Sequence, residues 1–134
     1  MKVVVDTNVV VSGLFWKGPP AEILAAWLSG KFEWIVSASI LEEYHKTLQS
    51  LGTKYPPSAS AWAFLRGVSL SAKLTVPADL GEQVCTDSND DKFIAVAIAG
   101  HASTIVSGDK ALLKTNGYRG LRIIKPAPFL KMLL

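Results

Sequence analysis

The sequence predicts an α/β fold, a three-layer α/β/α sandwich with a central, mainly parallel five-stranded sheet. Short apolar runs rich in β-branched residues lack polar alternation, which indicates strands that are buried on both faces. Helices of about ten residues alternate with these runs, as in βαβ units. The chain has 134 residues, 49% of them hydrophobic, which suffices for one domain with a substantial core. We therefore predict a single domain over residues 1–134.

Each predicted strand is a short apolar run that is followed closely by a polar residue or a proline. Asp6 directly follows the first run, and Asp6-Thr7-Asn8 is predicted to close it. Pro77 follows the third run and begins an irregular connection that reaches Val84. The predicted strands are Lys2–Val5, Glu33–Val36, Lys73–Val76, Thr104–Val106 and Leu121–Ile124.

Helices are predicted where apolar residues recur at spacings of three and four and where start and stop signals flank them. Gly18-Pro19-Pro20 precedes the first helix, Ser37 or Ser39 can cap the second, and Gly52 ends it. The predicted helices are Ala21–Leu28, a segment with Ile40, Leu41, Tyr44, Leu48 and Leu51 on one face, Ser60–Leu70, Lys92–Ala99, Lys110–Leu113 and a last short helix from Pro126.

The composition excludes several classes of site. A single cysteine, Cys85, cannot form an intramolecular disulfide or a cysteine-based zinc site, and His45 and His101 are far apart in the sequence. No apolar run approaches the ~18 residues that span a bilayer, so we expect a cytoplasmic protein without a membrane partner. The net charge of +3 permits a polyanionic partner without requiring one.

Acidic residues follow several predicted strands. Asp6 comes directly after the first strand, Asp109 shortly after the fourth, and Asp91 opens the helix before the fourth. In a parallel sheet such groups collect at the carboxyl ends of the strands. At about 100° per residue, Glu43 borders the apolar face of the second helix and Glu42 faces water. Asp91 shares a stripe with apolar residues three, four and seven positions later, so its carboxylate is predicted to lie along the face that packs on the sheet.

Carboxylates that converge at one sheet edge raise each other's pKa unless cations neutralise them. Oxygen-only ligands suit Mg²⁺ or Mn²⁺ better than zinc or copper. Such ions activate water and stabilise the charge that develops on a phosphate, so the residues indicate metal-assisted phosphodiester hydrolysis. Each acid taken alone has another interpretation: Asp87, Asp90 and Asp91 can cap a helix, while Asp6 and Asp109 can form turns. For Asp87 the capping role is favoured.

Four motifs follow one another along essentially the whole chain. They are Asp6-Thr7-Asn8 after an apolar strand, Ser37 ahead of Leu41-Glu42-Glu43, Asp87-Ser88-Asn89-Asp90-Asp91-Lys92-Phe93-Ile94-Ala95-Val96-Ala97, and Ile105-Val106-Ser107-Gly108-Asp109. Together they resemble the PIN-domain nucleases, and among them the short prokaryotic toxin components of toxin–antitoxin pairs, akin to the VapC toxins.

The resemblance implies an endoribonuclease that depends on one or two Mg²⁺ or Mn²⁺ ions. By position, Asp6, Glu43, Asp91 and Asp109 resemble the four family acids. Asp6, Asp91 and Asp109 are predicted to hold the metal directly or through water, and Glu43 to position or deprotonate the attacking water. Supporting roles are predicted for polar residues in the same motifs, namely Thr7, Asn8, Ser37, Asp87, Asp90 and Ser107.

Several partners are expected. Lys92 and Lys110 lie beside the predicted site in the sequence and are candidates for contacts to the RNA backbone, although both can equally be solvated lysines at helix starts. The resemblance also suggests a homodimer and an antitoxin protein that covers the acidic cleft. Trp27 and Trp34 are predicted to lie in the core or a dimer interface, whereas Trp16 and Trp62 are better candidates for an exposed interface.

Two other functions compete with the nuclease interpretation. Phosphotransfer domains of the haloacid-dehalogenase or receiver type also place an early aspartate after a strand. The first type needs a second acid at the position of Asn8, and the second needs paired acids after the first strand, where this chain has only Asp6. The other alternative is a non-catalytic module that binds RNA or protein and retains the acidic metal site.

Overall fold

Five parallel strands form the central sheet of the computed structural model, which describes all 134 residues. Helices follow the strands along the chain, with one-turn 3₁₀ helices at Ser88–Asp90 and Tyr118–Gly120. The strands are β1 (Lys2–Val5), β2 (Glu33–Val36), β3 (Lys73–Leu74), β4 (Thr104–Val106) and β5 (Arg122–Ile124). The helices are α1 (Thr7–Phe15), α2 (Pro19–Leu28), α3 (Ala38–Leu51), α4 (Ala59–Ser71), α5 (Asp91–Ala99), α6 (Lys110–Leu113) and α7 (Pro126–Leu133). None of these helices is both long and apolar enough to cross a membrane.

The strand order is β3-β2-β1-β4-β5, and every neighbouring pair is parallel. The predicted fold class is therefore confirmed, with a sheet that is parallel throughout. Val3 of β1 is in register with Trp34 of β2 on one side and Thr104 of β4 on the other. Because β1 is the middle strand, the residue at its carboxyl end lies between the ends of β2 and β4.

The core explains why the strands lack polar alternation. All three valines of β1 are fully buried, and α5 packs across β1, β2 and β4. Trp34 is 1% exposed and packs edge-on against Trp27 at 5.2 Å between ring centroids, as predicted for core tryptophans. Trp16 and Trp62 are 55% and 37% exposed, which confirms their predicted position at the surface.

One helix was not predicted. β1 ends before Asp6 as predicted, but the amides of Val9 and Val10 donate to the carbonyl of Asp6 at 3.0 and 3.2 Å, so α1 starts there directly. The run Val9-Val10-Val11 has low helix propensity because β-branched side chains lose χ1 freedom in a helix. All three valines are buried, and their packing outweighs this local preference.

The ends of two strands also differ from the prediction. β3 ends at Leu74 and β5 begins at Arg122. The Thr75 amide still donates to the Val36 carbonyl at 2.8 Å, but the chain then leaves the sheet, and the Ala78 amide donates to Ala95 of α5 at 3.1 Å. Of the last two residues of the predicted third strand, Thr75 still bonds to β2 and Val76 is 85% exposed.

We expect Gly13→Ala to lower the free energy of unfolding by about 1–3 kcal/mol, because α1 and α2 approach closely at this glycine. A Cβ on Gly13 would lie 2.7 Å from Leu24 Cδ1 and 2.9 Å from the Pro20 carbonyl oxygen, which is backbone and cannot rotate away. Gly67→Ala is the matched control, since nothing lies within 4 Å of its Cβ in α4, and we expect it to stabilise by about 0.5–1 kcal/mol. Urea unfolding of both variants measures the difference. Equal changes for both would contradict the close packing of α1 on α2.

Candidate active site

Asp6 lies at the centre of the carboxyl edge of the sheet and is 5% exposed. Its amide donates to the Val106 carbonyl at 2.9 Å, which continues the pairing of β1 with β4 and fixes the backbone. Ser107, fully buried, donates its hydroxyl to Asp6 Oδ2 at 2.7 Å. Burial raises the pKa of Asp6, and the carboxylates of Asp109 and Glu43 add to the rise, against hydrogen bonds from Ser107 and Thr7 that lower it.

Asp109 reaches the same edge from the end of β4. Its carboxylate caps α6 by accepting from the Ala111 amide at 3.1 Å, and its own amide donates to Ser107 Oγ at 3.0 Å. The Ser107 hydroxyl thus accepts from Asp109 and donates to Asp6. One buried side chain sets the relative positions of two acids that are 103 residues apart in the sequence.

Glu43 comes from α3, which begins after β2 because Ser37 caps it by accepting from the Ile40 amide at 3.2 Å. Thr7, at the start of α1, donates its hydroxyl to Glu43 Oε2, and the Lys92 ammonium group forms an ion pair with Oε1. Both oxygen atoms of this carboxylate therefore have partners in the protein, and one of them is a cation.

The rest of α3 confirms which glutamate faces the site. Tyr44, fully buried, donates its hydroxyl to the Val5 carbonyl and receives a hydrogen bond from Trp34 Nε1 at 3.3 Å. Its burial raises the pKa of the phenol well above the usual value, so it stays neutral. Glu42 points to water and pairs with Lys46 at 2.7 Å, as the helical angle predicts.

The aspartates that precede α5 divide into two environments. Asp91 accepts from the amides of Val84 and Cys85 at 3.0 and 2.7 Å, and these bonds lower its pKa although burial acts to raise it. Burial of Asp90, a hydrogen bond with the carboxyl group of Asp109, and the nearby acids Asp87 and Asp6 raise the pKa of Asp90 to about 7. The structure therefore places Asp90 next to Asp109 and Asp6, whereas Asp91 anchors the segment before α5. Asp91 was predicted to lie along the face that packs on the sheet; in the structure its carboxylate bonds to the amides of Val84 and Cys85.

The remaining predicted residues lie at the margin of this cluster. Asp87 is exposed and caps the 3₁₀ turn by accepting from the Asn89 amide at 2.9 Å, in agreement with the capping interpretation. Asn8 is exposed and forms no side-chain hydrogen bond, so of the pair Thr7 and Asn8 only Thr7 contacts an acid of the cluster. Lys110 is exposed and forms no ion pair, in contrast to Lys92.

The amino-acid sequence of the chain matches a known protein family. The family model described as PIN domain covers residues 2–111, a span that includes every acid of the cluster. The chain belongs to the PIN-domain family. A protein of Methanocaldococcus jannaschii, the uncharacterized protein MJ1680, is 34% identical to this PIN domain over 115 residues, which are 84% of this chain and 74% of the relative. In the crystal structure of PAE2754 from Pyrobaculum aerophilum, 89% of that chain superimposes on 99% of this PIN domain with a TM-score of 0.66 at 18% identity.

PIN domains are in general nucleases, and the donor set of this one suits the divalent metal that such enzymes typically use. Asp6, Glu43, Asp90 and Asp109 offer only carboxylate oxygens, which hard divalent cations prefer. The raised pKa values of Asp6 and Asp90 reflect burial and mutual repulsion, which a cation would relieve. The acids are not gathered around one point: no three His, Cys, Asp or Glu side chains are arranged to hold a metal ion. Three of these acids could hold one ion only if some of their side chains adopted other rotamers.

Proposed function

We propose that this protein is a divalent-metal-dependent endoribonuclease that hydrolyses phosphodiester bonds in RNA. The observation that carries the proposal is that Ser107 links Asp6 and Asp109 at the carboxyl edge of the sheet, with Glu43 held beside them by Thr7. Asp6 is 5% exposed, and a charge buried beside other carboxylates is unfavourable unless a cation binds there; functional sites are where such arrangements occur.

One or two bound Mg²⁺ or Mn²⁺ ions would lower the pKa of a water molecule and offset the charge that develops on the phosphate. Asp6 and Asp109 are the proposed ligands from the sheet, and the Ser107 hydroxyl orients both. Asp90 is the proposed third ligand because its carboxyl group faces them, although the motif alone assigned this role to Asp91. Glu43, held by the Thr7 hydroxyl, is positioned to accept a proton from the attacking water.

We further propose that the protein is the toxin component of a toxin–antitoxin pair and acts in the cytoplasm as a homodimer. The support is the resemblance of its motifs to the VapC-like branch. An antitoxin that inserts a basic side chain among the four acids would compete with the metal for the same charge. Trp16, with Phe15 and Tyr55 at 5.5 and 6.1 Å between ring centroids, offers an exposed aromatic surface for the second copy.

One observation favours the alternative of a non-catalytic binding module. The carboxylates of Glu43 and Asp109 are both engaged by protein groups, and no set of three acids is arranged to hold a metal. A protein that never released these contacts would keep the fold and the charge of a nuclease without its chemistry. The alternative predicts RNA binding that is independent of Mn²⁺.

Calorimetric titration with Mn²⁺ tests the proposal without the need to know the RNA. We expect the wild-type protein to bind Mn²⁺ and Asp6→Asn to bind it at least about tenfold more weakly, since Asp6 is the central acid of the cluster. Asp79→Asn is the control, because this exposed acid bonds only to the Gly81 amide. Absence of Mn²⁺ binding at millimolar concentration, with or without RNA, would overturn the nuclease proposal in favour of the binding module.

A further inference from the structure

A polar depression with a volume of about 260 Å³ adjoins the cluster of four acids and shares Glu43 with it. Its lining contains no apolar residue and consists of Ser39, Glu42, Glu43, Lys46 and Lys92. The volume is several times the ~30 Å³ that one water molecule occupies in the liquid, so the depression has room for a tetrahedral anion. Two of the five lining residues are cations, and both come from helices that border the acidic cluster.

Each lysine in the depression is neutralised by a glutamate. Lys46 and Glu42 form an exposed pair at 2.7 Å within one turn of α3. Lys92 and Glu43 form a second pair that links α5 to α3, with side chains only 24% and 31% exposed. The depression is therefore electrically neutral in this state. An exposed pair such as the first contributes little to stability and separates readily.

The second pair connects the depression to the acidic cluster. Glu43 is a member of both, since it faces Thr7 and the other acids while it holds Lys92. In the proposed mechanism Glu43 accepts a proton from the attacking water, so that water and the Lys92 ammonium group compete for the same carboxylate once the metal is bound. When Glu43 turns to the water, Lys92 loses its counter-ion in a half-buried position, where an unpaired charge is unfavourable.

We propose that the depression is a binding subsite for a backbone phosphate next to the scissile one, and that Lys92 moves from Glu43 to this phosphate when the cluster takes up its divalent cation. The inference rests on the proposed nuclease function. Lys46 is the second cation of the subsite. Metal binding and phosphate binding are then positively coupled through one side chain, and the coupling is reciprocal. Without the divalent cation the depression is neutral, and the protein binds nucleic acid weakly.

Calorimetry with Mn²⁺ alone tests the competition. We expect Lys92→Gln to bind Mn²⁺ about threefold or more tightly than wild type, because the competing cation is gone. Lys131→Gln is the matched control: Lys131, on α7, is exposed and forms no ion pair, so its removal should change Mn²⁺ affinity by less than about twofold. Equal or weaker Mn²⁺ binding by Lys92→Gln, in a protein whose circular dichroism spectrum is unchanged, would overturn the proposal.

Fluorescence anisotropy with a phosphorothioate RNA oligonucleotide, which resists cleavage, tests the subsite. We expect Mn²⁺ to tighten RNA binding by the wild type, Lys92→Gln to reduce this tightening about threefold or more, and Lys46→Gln to weaken binding of the loaded protein. A DNA oligonucleotide of the same sequence that shows the same coupling supports recognition of the phosphate backbone. Inorganic phosphate that reproduces the full coupling would overturn a backbone subsite.

The Mn²⁺ titrations distinguish the nuclease function from the phosphate subsite. If the wild-type protein binds no Mn²⁺, both the nuclease function and the subsite are overturned. A second outcome is that the wild type binds Mn²⁺ and Asp6→Asn does not, while Lys92→Gln leaves metal affinity and metal-dependent RNA binding unchanged. In that case the nuclease proposal stands and the role of Lys92 is overturned.

Discussion

Replacing Asp90 with asparagine is expected to lower the rate of RNA cleavage by about a hundredfold or more, whereas Asp91→Asn should retain activity within about tenfold. The reason is the direction of the two carboxyl groups. Asp90 shares its surroundings with Asp109 and Asp6, while both oxygen atoms of Asp91 accept hydrogen bonds from the amides of Val84 and Cys85. Initial rates with a saturating concentration of a cleavable RNA provide the comparison. The opposite order of the two variants would restore the assignment that the motif alone suggested.

A measurement of stability separates the same two residues without any substrate. The pKa of Asp90 is raised to about 7 in the folded protein, above the ordinary value of 3.8, so the folded state binds this proton more tightly than the unfolded state. Without metal, this carboxyl group therefore reduces stability progressively as the pH rises from about 4 to about 7. Asp90→Asn should remove that loss, and its melting temperature should exceed that of wild type at pH 8 in EDTA.

Asp91 has the opposite linkage. Burial acts to raise the pKa of Asp91, but hydrogen bonds from two backbone amides lower it below the ordinary value. The ionised carboxylate therefore stabilises the fold at pH values above the ordinary pKa. This stabilisation is lost as the pH falls through the pKa of the folded state. Asp91→Asn should lower the melting temperature at neutral pH, because two backbone donors lose a charged acceptor. A higher melting temperature for Asp91→Asn than for Asp90→Asn at pH 8 would contradict both assignments.

Glu43→Gln is expected to reduce cleavage by about 10²–10⁴-fold, the usual contribution of a general base, while RNA binding is retained. The amide keeps the size of the side chain and can still accept a hydrogen bond from Thr7, but it cannot take a proton from water. Single-turnover cleavage separates the chemical step from binding.

The control for this variant is Glu42→Gln, one position earlier on the same helix. Glu42 is exposed and pairs only with Lys46, so the single-turnover rate at saturating RNA should stay within about threefold of wild type. A loss of similar size in both variants would show that the charge of the surface, and not the carboxylate inside the cluster, supports cleavage.

The fold could be predicted largely from the sequence because its strands are buried on both faces. A strand such as Lys2–Val5 needs no alternation, and the glycines and prolines between elements mark its neighbours clearly. The helix α1 could not be predicted in this way. Its Val9-Val10-Val11 run has the composition of a strand, and only packing against α2 and α3 makes it helical.

Only some residues of the candidate site could be predicted from the sequence. Asp6 and Asp109 follow strands directly, so the topology alone brings them to one edge, and a helical angle of about 100° per residue separates Glu43 from Glu42 correctly. The count gives no information on Asp91's partners, because its carboxylate accepts from the amides of Val84 and Cys85, in a segment that precedes α5. Lys92 and Glu43, which form an ion pair between α5 and α3, are 49 positions apart in the sequence, and no local pattern predicts their contact.

The buried hydroxyl of Tyr44 has a consequence for how the acids respond to the proposed metal. It joins α3 to the carbonyl of Val5, the residue before Asp6, so a hydrogen bond links the helix that carries Glu43 to the strand that ends at Asp6. We therefore expect uptake of the proposed ion to proceed by rotation of side chains while this link stays in place, without closure of a loop over microseconds to milliseconds.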